Sequence, residues 1–166
     1  MKILHIITGL GNGGAESNLY KICINDKINQ HYVISLMDMG IYGKLLKKKN
    51  INVKYLDLKN NFFSIIKILK LIALIKKINP DIIQTWMYHA DLIGSLAGVI
   101  IGNKKIVWNI RHSDFDNSKL LTIFLVKILG LLSWLIPNKI IVCSKKAIEI
   151  HCKIGYSKKK MIYVPN

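Results

Sequence analysis

The chain has 166 residues, half of them hydrophobic, which predicts a single domain over residues 1–166 with a sizeable core. Its net charge of +16 comes from 25 basic residues against 9 acidic ones, so a charged partner is expected to be anionic: a phosphorylated substrate or an anionic membrane surface. The basic residues are not interleaved with aromatic ones and form no recognisable helix-in-groove module, so we expect no nucleic acid partner.

Apolar runs alternate along the chain with longer segments of helical periodicity. The first run, 2–7, is too short for a signal-peptide core and leads straight into a glycine loop, so we predict a strand there. The other predicted strands are 31–37, 53–58, 81–86, 105–110, 139–143 and 161–164. The predicted helices are 15–27, 42–49, 62–77, 90–101, 118–136 and 145–154.

This strand–helix alternation predicts an α/β fold with a parallel sheet covered by helices on both faces. The strands are continuous Ile/Val runs, as expected when both faces are buried. We therefore predict a Rossmann-like, doubly wound sheet in three αβα layers.

Two helices have features of membrane-associated segments. Residues 120–136 carry one charge, Lys127, but fall short of the about 20 apolar residues that span a bilayer. In 62–77, lysines punctuate an Ile/Leu face, as in helices that lie on a membrane. For both helices the alternative is packing on the sheet, with the lysines in water.

The carboxyl ends of the strands form the edge where open parallel sheets bind ligands. Many polar residues follow the predicted strands at this edge: Glu16, Asp38, His89, Asp91, Arg111, His112, Ser113, Asp114, Asp116 and Ser144. Arg111 is the only arginine in the chain. We therefore predict the functional site at this edge.

The loop "ITGLGNGGAES" contains Gly9, Gly11 and Gly14 in the G-x-G-x-x-G spacing of dinucleotide-binding domains. Glycines allow close approach to a ligand, and the following helix offers N–H groups and a positive dipole end to an anion. For NAD, an acidic residue is needed near the end of the second strand, and Asp38 is the one candidate. A nicotinamide oxidoreductase domain therefore stays an alternative.

Four stretches make the chain resemble the N-terminal domain of a family 4 glycosyltransferase of GT-B architecture. They are "GLGNGGAE", "TWMYHADLIGSLAG", "WNIRHSDFD" and "IIVCSKKAIEIHCKIGYSKKKMIYVPN". The resemblance implies sugar transfer from a nucleotide-sugar donor with retention of anomeric configuration. It also implies no obligatory metal and no cofactor besides the donor, which is a substrate.

The resemblance also implies roles for individual residues. Gly13 and Gly14 match the turn that approaches the donor phosphates, and His89 matches a catalytic histidine near the transferred sugar. Other matches fall where substrate or phosphate contacts are expected: Glu16, Arg111, His112 and Ser144. The structural alternatives are a charge on the helix dipole for Glu16, loop packing for His89, a salt bridge or loop packing for Arg111 and His112, and a helix cap for Ser144.

The sequence stops at Pro165 and Asn166, where the hinge of this family begins. We expect residues 1–166 to be inactive alone, with a C-terminal donor domain or a separate donor-domain chain as partner. The expected acceptor is a glycan or a lipid-linked sugar, at the inner face of the cell membrane. A non-catalytic or split-enzyme subunit is the alternative.

Cys23, Cys143 and Cys152 have no metal-ligand spacing and predict free thiols in the cytoplasm.

Overall fold

The structure is a computed structural model that describes residues 1–58, 64–102, 105–111 and 120–165. A parallel sheet of seven strands has the order β3-β2-β1-β4-β5-β6-β7. The strands are β1 (Lys2–Ile7), β2 (Gln30–Ser35), β3 (Asn52–Tyr55), β4 (Ile82–Trp86), β5 (Ile106–Ile110), β6 (Lys139–Val142) and β7 (Met161–Tyr163). The helices are α1 (Gly14–Asn25), α2 (Gly40–Lys48), α3 (Ile65–Ile78), α4 (Tyr88–Ile100), α5 (Leu120–Leu132) and α6 (Lys145–Ile154).

Two apolar cores separate the helices into the layers of a doubly wound fold. The larger core joins alternate strand residues such as Ile6, Ile83 and Trp108 to residues of α3, α4, α5 and α6. The smaller core joins Ile7 and Trp86 to residues of α1 and α2 on the opposite face. Helices thus cover both faces of a parallel sheet, and the predicted Rossmann-like fold is confirmed.

Helix α4 lies unusually close to the sheet because two glycines face it. A Cβ atom at Gly94 would lie 3.0 Å from Thr85 Cγ2, and one at Gly98 would lie 3.0 Å from Ile83 Cδ1. A side chain at either position would force these neighbouring side chains to shift by a few tenths of an ångström. This close contact fixes the first turn of α4, which carries His89.

Two predicted elements end earlier than expected. The strand predicted over 53–58 ends at Tyr55, because Asp57 has a φ of 56° and turns the chain out of the extended conformation. The helix predicted over 118–136 is described from Leu120 and ends at Leu132. There the Ser133 hydroxyl donates to Gly130 O at 2.6 Å and accepts from Ser157 N at 2.9 Å, which ties the helix end to the loop after α6. Within the described ranges, no helix combines the length and apolarity needed to cross a membrane.

Candidate functional site

The strand order reverses between β1 and β4, and the carboxyl ends of the two strands flank a crevice. Ile7 at the end of β1 pairs with Trp86 at the end of β4, and Trp86 pairs with Asn109 near the end of β5. The loops that follow these strands therefore converge at the place where doubly wound folds bind ligands.

A pocket of about 300 Å³ opens at this place between the glycine loop and the loop after β4. It is lined by Gly13, Gly14, Ala15, Glu16, Asn18, Met87 and Arg111. We call it the glycine-loop pocket. Helix α1 begins at Gly14, so the first N–H groups of α1 and the positive end of its dipole face the pocket. The pocket thus joins a helix N-terminus to the one arginine of the chain.

Glu16 and Gly13 interact closely at the start of α1. A Cβ atom at Gly13 would lie 2.5 Å from Glu16 Oε2, so a side chain there would displace the carboxylate. The negative charge of Glu16 lies in the first turn, where the helix dipole stabilises it. Gly14 has open space where a Cβ would lie, which leaves its backbone accessible from the pocket.

Arg111 stacks on the floor of the crevice. Its guanidinium carbon lies 5.3 Å from the centre of the Trp86 ring, a cation–π contact, and Trp86 is fully buried. Burial lowers the pKa of Arg111, whose ordinary value is so high that the group stays charged at neutral pH. The arrangement presents a held cation opposite the N-terminus of α1, which suits binding of a phosphate group.

Sequence patterns did not single out Met87, which lines this pocket, or Gly40, which packs against the glycine loop. Met87 caps α4 with φ 70° and ψ 155°, a strained conformation for a residue other than glycine that costs about 1–3 kcal/mol. Gly40 has a φ of 50°, and a Cβ there would lie 1.9 Å from Leu10 O. Only glycine allows α2 to approach the glycine loop this closely.

His89 lines a different cavity from the one that holds Arg111. It lies in the first turn of α4, facing an apolar groove between α4 and α5. Burial lowers the pKa of its imidazole, so the ring is neutral at neutral pH. The structure therefore brings Gly13, Gly14, Glu16 and Arg111 together in one pocket, and it places His89 two residues beyond Met87 in the neighbouring groove.

The other predicted site residues have varied positions. The Ser144 hydroxyl accepts a hydrogen bond from Ala147 N at 3.0 Å and caps α6, which is the structural alternative given above. His112 lies outside the described residues, as do Ser113, Asp114 and Asp116. Asp91 lies in the first turn of α4, beside the ligand edge, but its carboxyl is fully buried and accepts a hydrogen bond from Thr85 Oγ1 at 2.6 Å. Burial raises the pKa of Asp91 well above its ordinary value.

A chain of buried hydrogen bonds supports Trp86 from below. Trp86 Nε1 donates to His5 Nδ1 at 3.2 Å, and His5 Nε2 lies 3.0 Å from His31 Nδ1. His31 Nε2 lies 3.2 Å from Asp26 Oδ2. Because the indole can only donate, we assign the Nε2–H tautomer to both histidines, so that each ring donates toward Asp26. The sequence signal is a histidine within the apolar strand "KILHII".

The two histidines and Cys23 have ligand atoms within 4.8 Å of one another, as a metal site requires. Their geometry favours a hydrogen bond instead. The His5 and His31 rings are nearly coplanar, at 18°, with centres 5.2 Å apart, so the N–H of one ring points straight at the lone pair of the other. A tetrahedral metal would need both lone pairs to converge off this line. Burial raises the pKa of the Cys23 thiol to about 12, so the thiol is protonated in the metal-free protein.

Comparison with known proteins identifies the family of this fold and crevice. A model of Glycosyltransferase Family 4 matches residues 41–166, which is more than half of the chain. The glycine loop lies before the matched segment. No curated protein sequence gives a significant match.

Solved structures with the same fold are about twice as long. The Anabaena protein Alr3699/HepE, crystallised with UDP-glucose, superimposes with a TM-score of 0.84 at 18% identity, covering 100% of this chain and 44% of its own. The lipopolysaccharide outer core galactosyltransferase WaaB gives 0.69 at 18% identity, with 100% and 46% covered. UDP-N-acetylglucosamine 2-epimerase from Rickettsia bellii gives 0.64 at 13% identity, with 100% and 45% covered.

The sheet order, the crevice and these neighbours define a Rossmann-like domain of the GT-B type. The chain belongs to glycosyltransferase family 4. It spans less than half the length of the structures it resembles. Because the identities are low, these structures establish the fold alone. Asp38, the acidic residue that NAD binding would require, is not among the residues that line the glycine-loop pocket.

Replacing His5 tests the buried hydrogen-bond chain. His5→Leu leaves Trp86 Nε1 and His31 Nδ1 without partners, and we expect each to cost about 1–3 kcal/mol at pH 7. His5→Gln is the matched control, because its amide also carries one acceptor and one donor. Urea unfolding followed by circular dichroism measures the difference. Equal stability of the two variants would contradict the hydrogen-bond chain.

The same variants test the titration of His5. Burial and the neighbouring His31 lower its pKa from 6.5 to about 3, so the unfolded chain binds the proton first. The contribution of neutral His5 to the free energy of unfolding is therefore complete above pH 6.5 and is lost as the pH falls toward 3. Between pH 6.5 and 5 we expect the wild type to lose about 2 kcal/mol more than His5→Gln, at about 1.4 kcal/mol per pH unit. Parallel pH profiles would rule out His5 as the titrating group.

Proposed function

We propose that the chain is the acceptor-side domain of a retaining glycosyltransferase, which moves a sugar from a nucleotide-sugar donor to a glycan or a lipid-linked acceptor. The observation that carries this proposal is the glycine-loop pocket. It sets the N-terminus of α1 opposite Arg111, at the point where the strand order reverses. Family membership supplies the reaction class.

Phosphate recognition is the chemistry that this pocket supports best. The donor sugar is bonded to a phosphate, and transfer breaks this bond while the same carbon bonds to an acceptor oxygen. Negative charge then develops on the leaving phosphate, and Arg111 and the first N–H groups of α1 are placed to stabilise it. This arrangement supports a reaction that needs no metal.

Residues 1–166 are proposed to be inactive alone. The fold neighbours are about twice as long, and transfer requires donor and acceptor to be held together in a reactive geometry. The described residues provide one wall of such a cleft. A donor-binding domain, in the same chain or a separate one, is the proposed partner.

His89 is the proposed catalytic residue. Its neutral imidazole lies at the start of α4, two residues beyond Met87, which lines the glycine-loop pocket. A neutral histidine can donate to or accept from an acceptor hydroxyl, and such groups contribute about 10²–10⁴-fold to proton-transfer steps.

Transfer by the protein with its donor-binding domain tests this role. We expect His89→Ala to lower kcat/KM more than tenfold and Leu96→Ala, an exposed position on the same helix, to change it less than twofold. The measurement is the release of nucleoside diphosphate, with folding checked by circular dichroism. Near-normal activity of His89→Ala would remove the residue from the site.

The surface of α3, α4 and α5 supports a location at an anionic membrane. All three helices pack on the same face of the sheet and expose large apolar side chains, among them Ile66, Val99 and Leu131. Helices α3 and α5 contain lysines and no acidic residue. A surface that is apolar and positively charged suits the headgroup region of an anionic bilayer.

Liposome flotation tests the membrane proposal. We expect the chain to float with vesicles containing 30% phosphatidylglycerol at low salt, to float less at about 0.5 M NaCl because salt screens the lysines, and to stay at the bottom with pure phosphatidylcholine. The variant Lys67→Glu/Lys70→Glu serves as the charge-reversed comparison and should bind several-fold less. An equal distribution with and without anionic lipid would refute the electrostatic contribution.

One feature favours a second candidate, a non-catalytic or split-enzyme subunit. Ile141 and Ile162 are neighbours in the sheet on the face opposite α3–α6, and Ile162 is exposed. In the described part of the chain, the core on that face contains residues of α1, α2 and the strands β1 to β4 only. Another polypeptide would cover this surface. In this candidate no donor domain belongs to the same chain, so transfer would appear only after a second chain is added. A protein with a donor domain in the same chain would transfer sugar by itself.

A further inference from the structure

We propose that the groove between α4 and α5 binds the hydrocarbon chain of an amphiphilic acceptor, with its polar head at His89. This inference rests on the proposed function, because it names the acceptor class for the same site. It goes further by assigning a separate binding surface to the apolar part of that substrate.

The groove is apolar along its length and polar at one end. It has a volume of about 400 Å³, within the range of small-molecule sites, and is lined by His89, Leu92, Ile93, Leu121, Phe124, Leu125 and Ile128. His89 is the one polar side chain in this lining. A single polar group at the end of an apolar slot matches a molecule with a hydrocarbon chain and one polar head.

Each helix contributes one stripe of side chains to the groove. Residues 89, 92 and 93 have the i, i+3, i+4 spacing on α4, and residues 121, 124, 125 and 128 continue this spacing on α5. Helix α4 follows β4 and begins at the ligand edge of the sheet, so His89 lies at that edge. The groove therefore extends away from the candidate site, parallel to the helices.

Side chains in the wall of the groove are far more exposed to solvent than side chains of a packed core. Leu121 is 81% exposed and Phe124 is 65% exposed. Large apolar side chains grouped at an open cavity mark a binding surface in most folded proteins. The described residues of α4 and α5 thus leave the slot open to a ligand from outside.

Charge decides in favour of a lipid-like occupant. The groove lies on the face of the sheet that α3 to α6 cover, where α3 and α5 contain lysines and no acidic residue. An amphiphile with an anionic head matches both the slot and this charge. A bilayer in contact with the same surface would deliver the chain directly into the groove.

Methyl NMR of the chain with dodecyl phosphate, below its micelle concentration, tests the inference. We expect shifts concentrated at Ile93, Leu125 and Ile128, and none with inorganic phosphate at the same concentration. Ile128→Trp should fill the slot and weaken binding at least tenfold. Leu131→Trp, which adds the same ring to an exposed position of α5 outside the groove, should change binding less than twofold. Equal shifts of all exposed methyls, or equal affinity of both variants for dodecyl phosphate, would contradict the proposal that the groove binds a hydrocarbon chain.

A second experiment uses spin-labelled ligands and does not depend on the folding of Ile128→Trp. Dodecyl phosphate with a nitroxide at the chain end should broaden the Ile128 methyl more strongly than the His89 ring signals, while a nitroxide near the head should do the reverse. Random or reversed broadening would contradict the proposed orientation of the chain.

Failure of this inference and failure of the proposed function give different results. If the protein with its donor domain transfers sugar equally well to acceptors with and without a hydrocarbon chain, the proposed role of the groove is wrong and the proposed transferase function is retained. If dodecyl phosphate binds in the groove but no nucleotide-sugar is consumed, the transferase is wrong and the groove remains an amphiphile site.

Discussion

The central position of β1 is the constraint on which the rest of the structure depends. This strand pairs with β2 on one side and β4 on the other, so the chain must reverse its direction of travel across the sheet. Right-handed crossovers then force α1 and α2 onto one face and α3 to α6 onto the other. The crevice, the glycine loop and the first turn of α4 meet at the carboxyl end of β1 for this reason alone.

Polar groups in the core connect this architecture to the site. His5 lies in the middle of β1 and faces the smaller core, where it holds the Trp86 indole under Arg111. Burying histidines is costly unless they are hydrogen-bonded, and both ring nitrogens of His5 have partners, Trp86 and His31, while His31 Nε2 lies 3.2 Å from the Asp26 carboxylate. Arg111 of the glycine-loop pocket thus stacks on Trp86, whose ring is oriented by hydrogen bonds between side chains of neighbouring strands.

Much of this could be predicted from the sequence, for identifiable reasons. Buried parallel strands are continuous Ile/Val runs, so the order and type of elements follow from pattern alone, and Gly13 and Gly14 mark the turn into α1. The predicted strand 53–58 is longer than the observed one because nothing in the local sequence pattern indicates the positive φ of Asp57. The burial of Asp91 does not follow from its spacing, because a carboxyl in the first turn of a helix usually lies at the surface, whereas α4 packs closely on β4 at its glycines. The strain at Met87 and the separate cavity of His89 depend on long-range packing that residue spacing does not encode.

The most direct test of the central claim is the binding of a sugar nucleotide at the glycine loop. We would follow the backbone amides of the chain by NMR during titration with UDP-glucose and, separately, NADH. A phosphate site predicts shifts clustered at Gly13, Gly14 and Ala15 with UDP-glucose, and at least tenfold weaker binding in Arg111→Ala. Shifts elsewhere with UDP-glucose, or tighter binding of NADH at the same amides, would contradict the assignment of this pocket to a nucleotide-sugar donor.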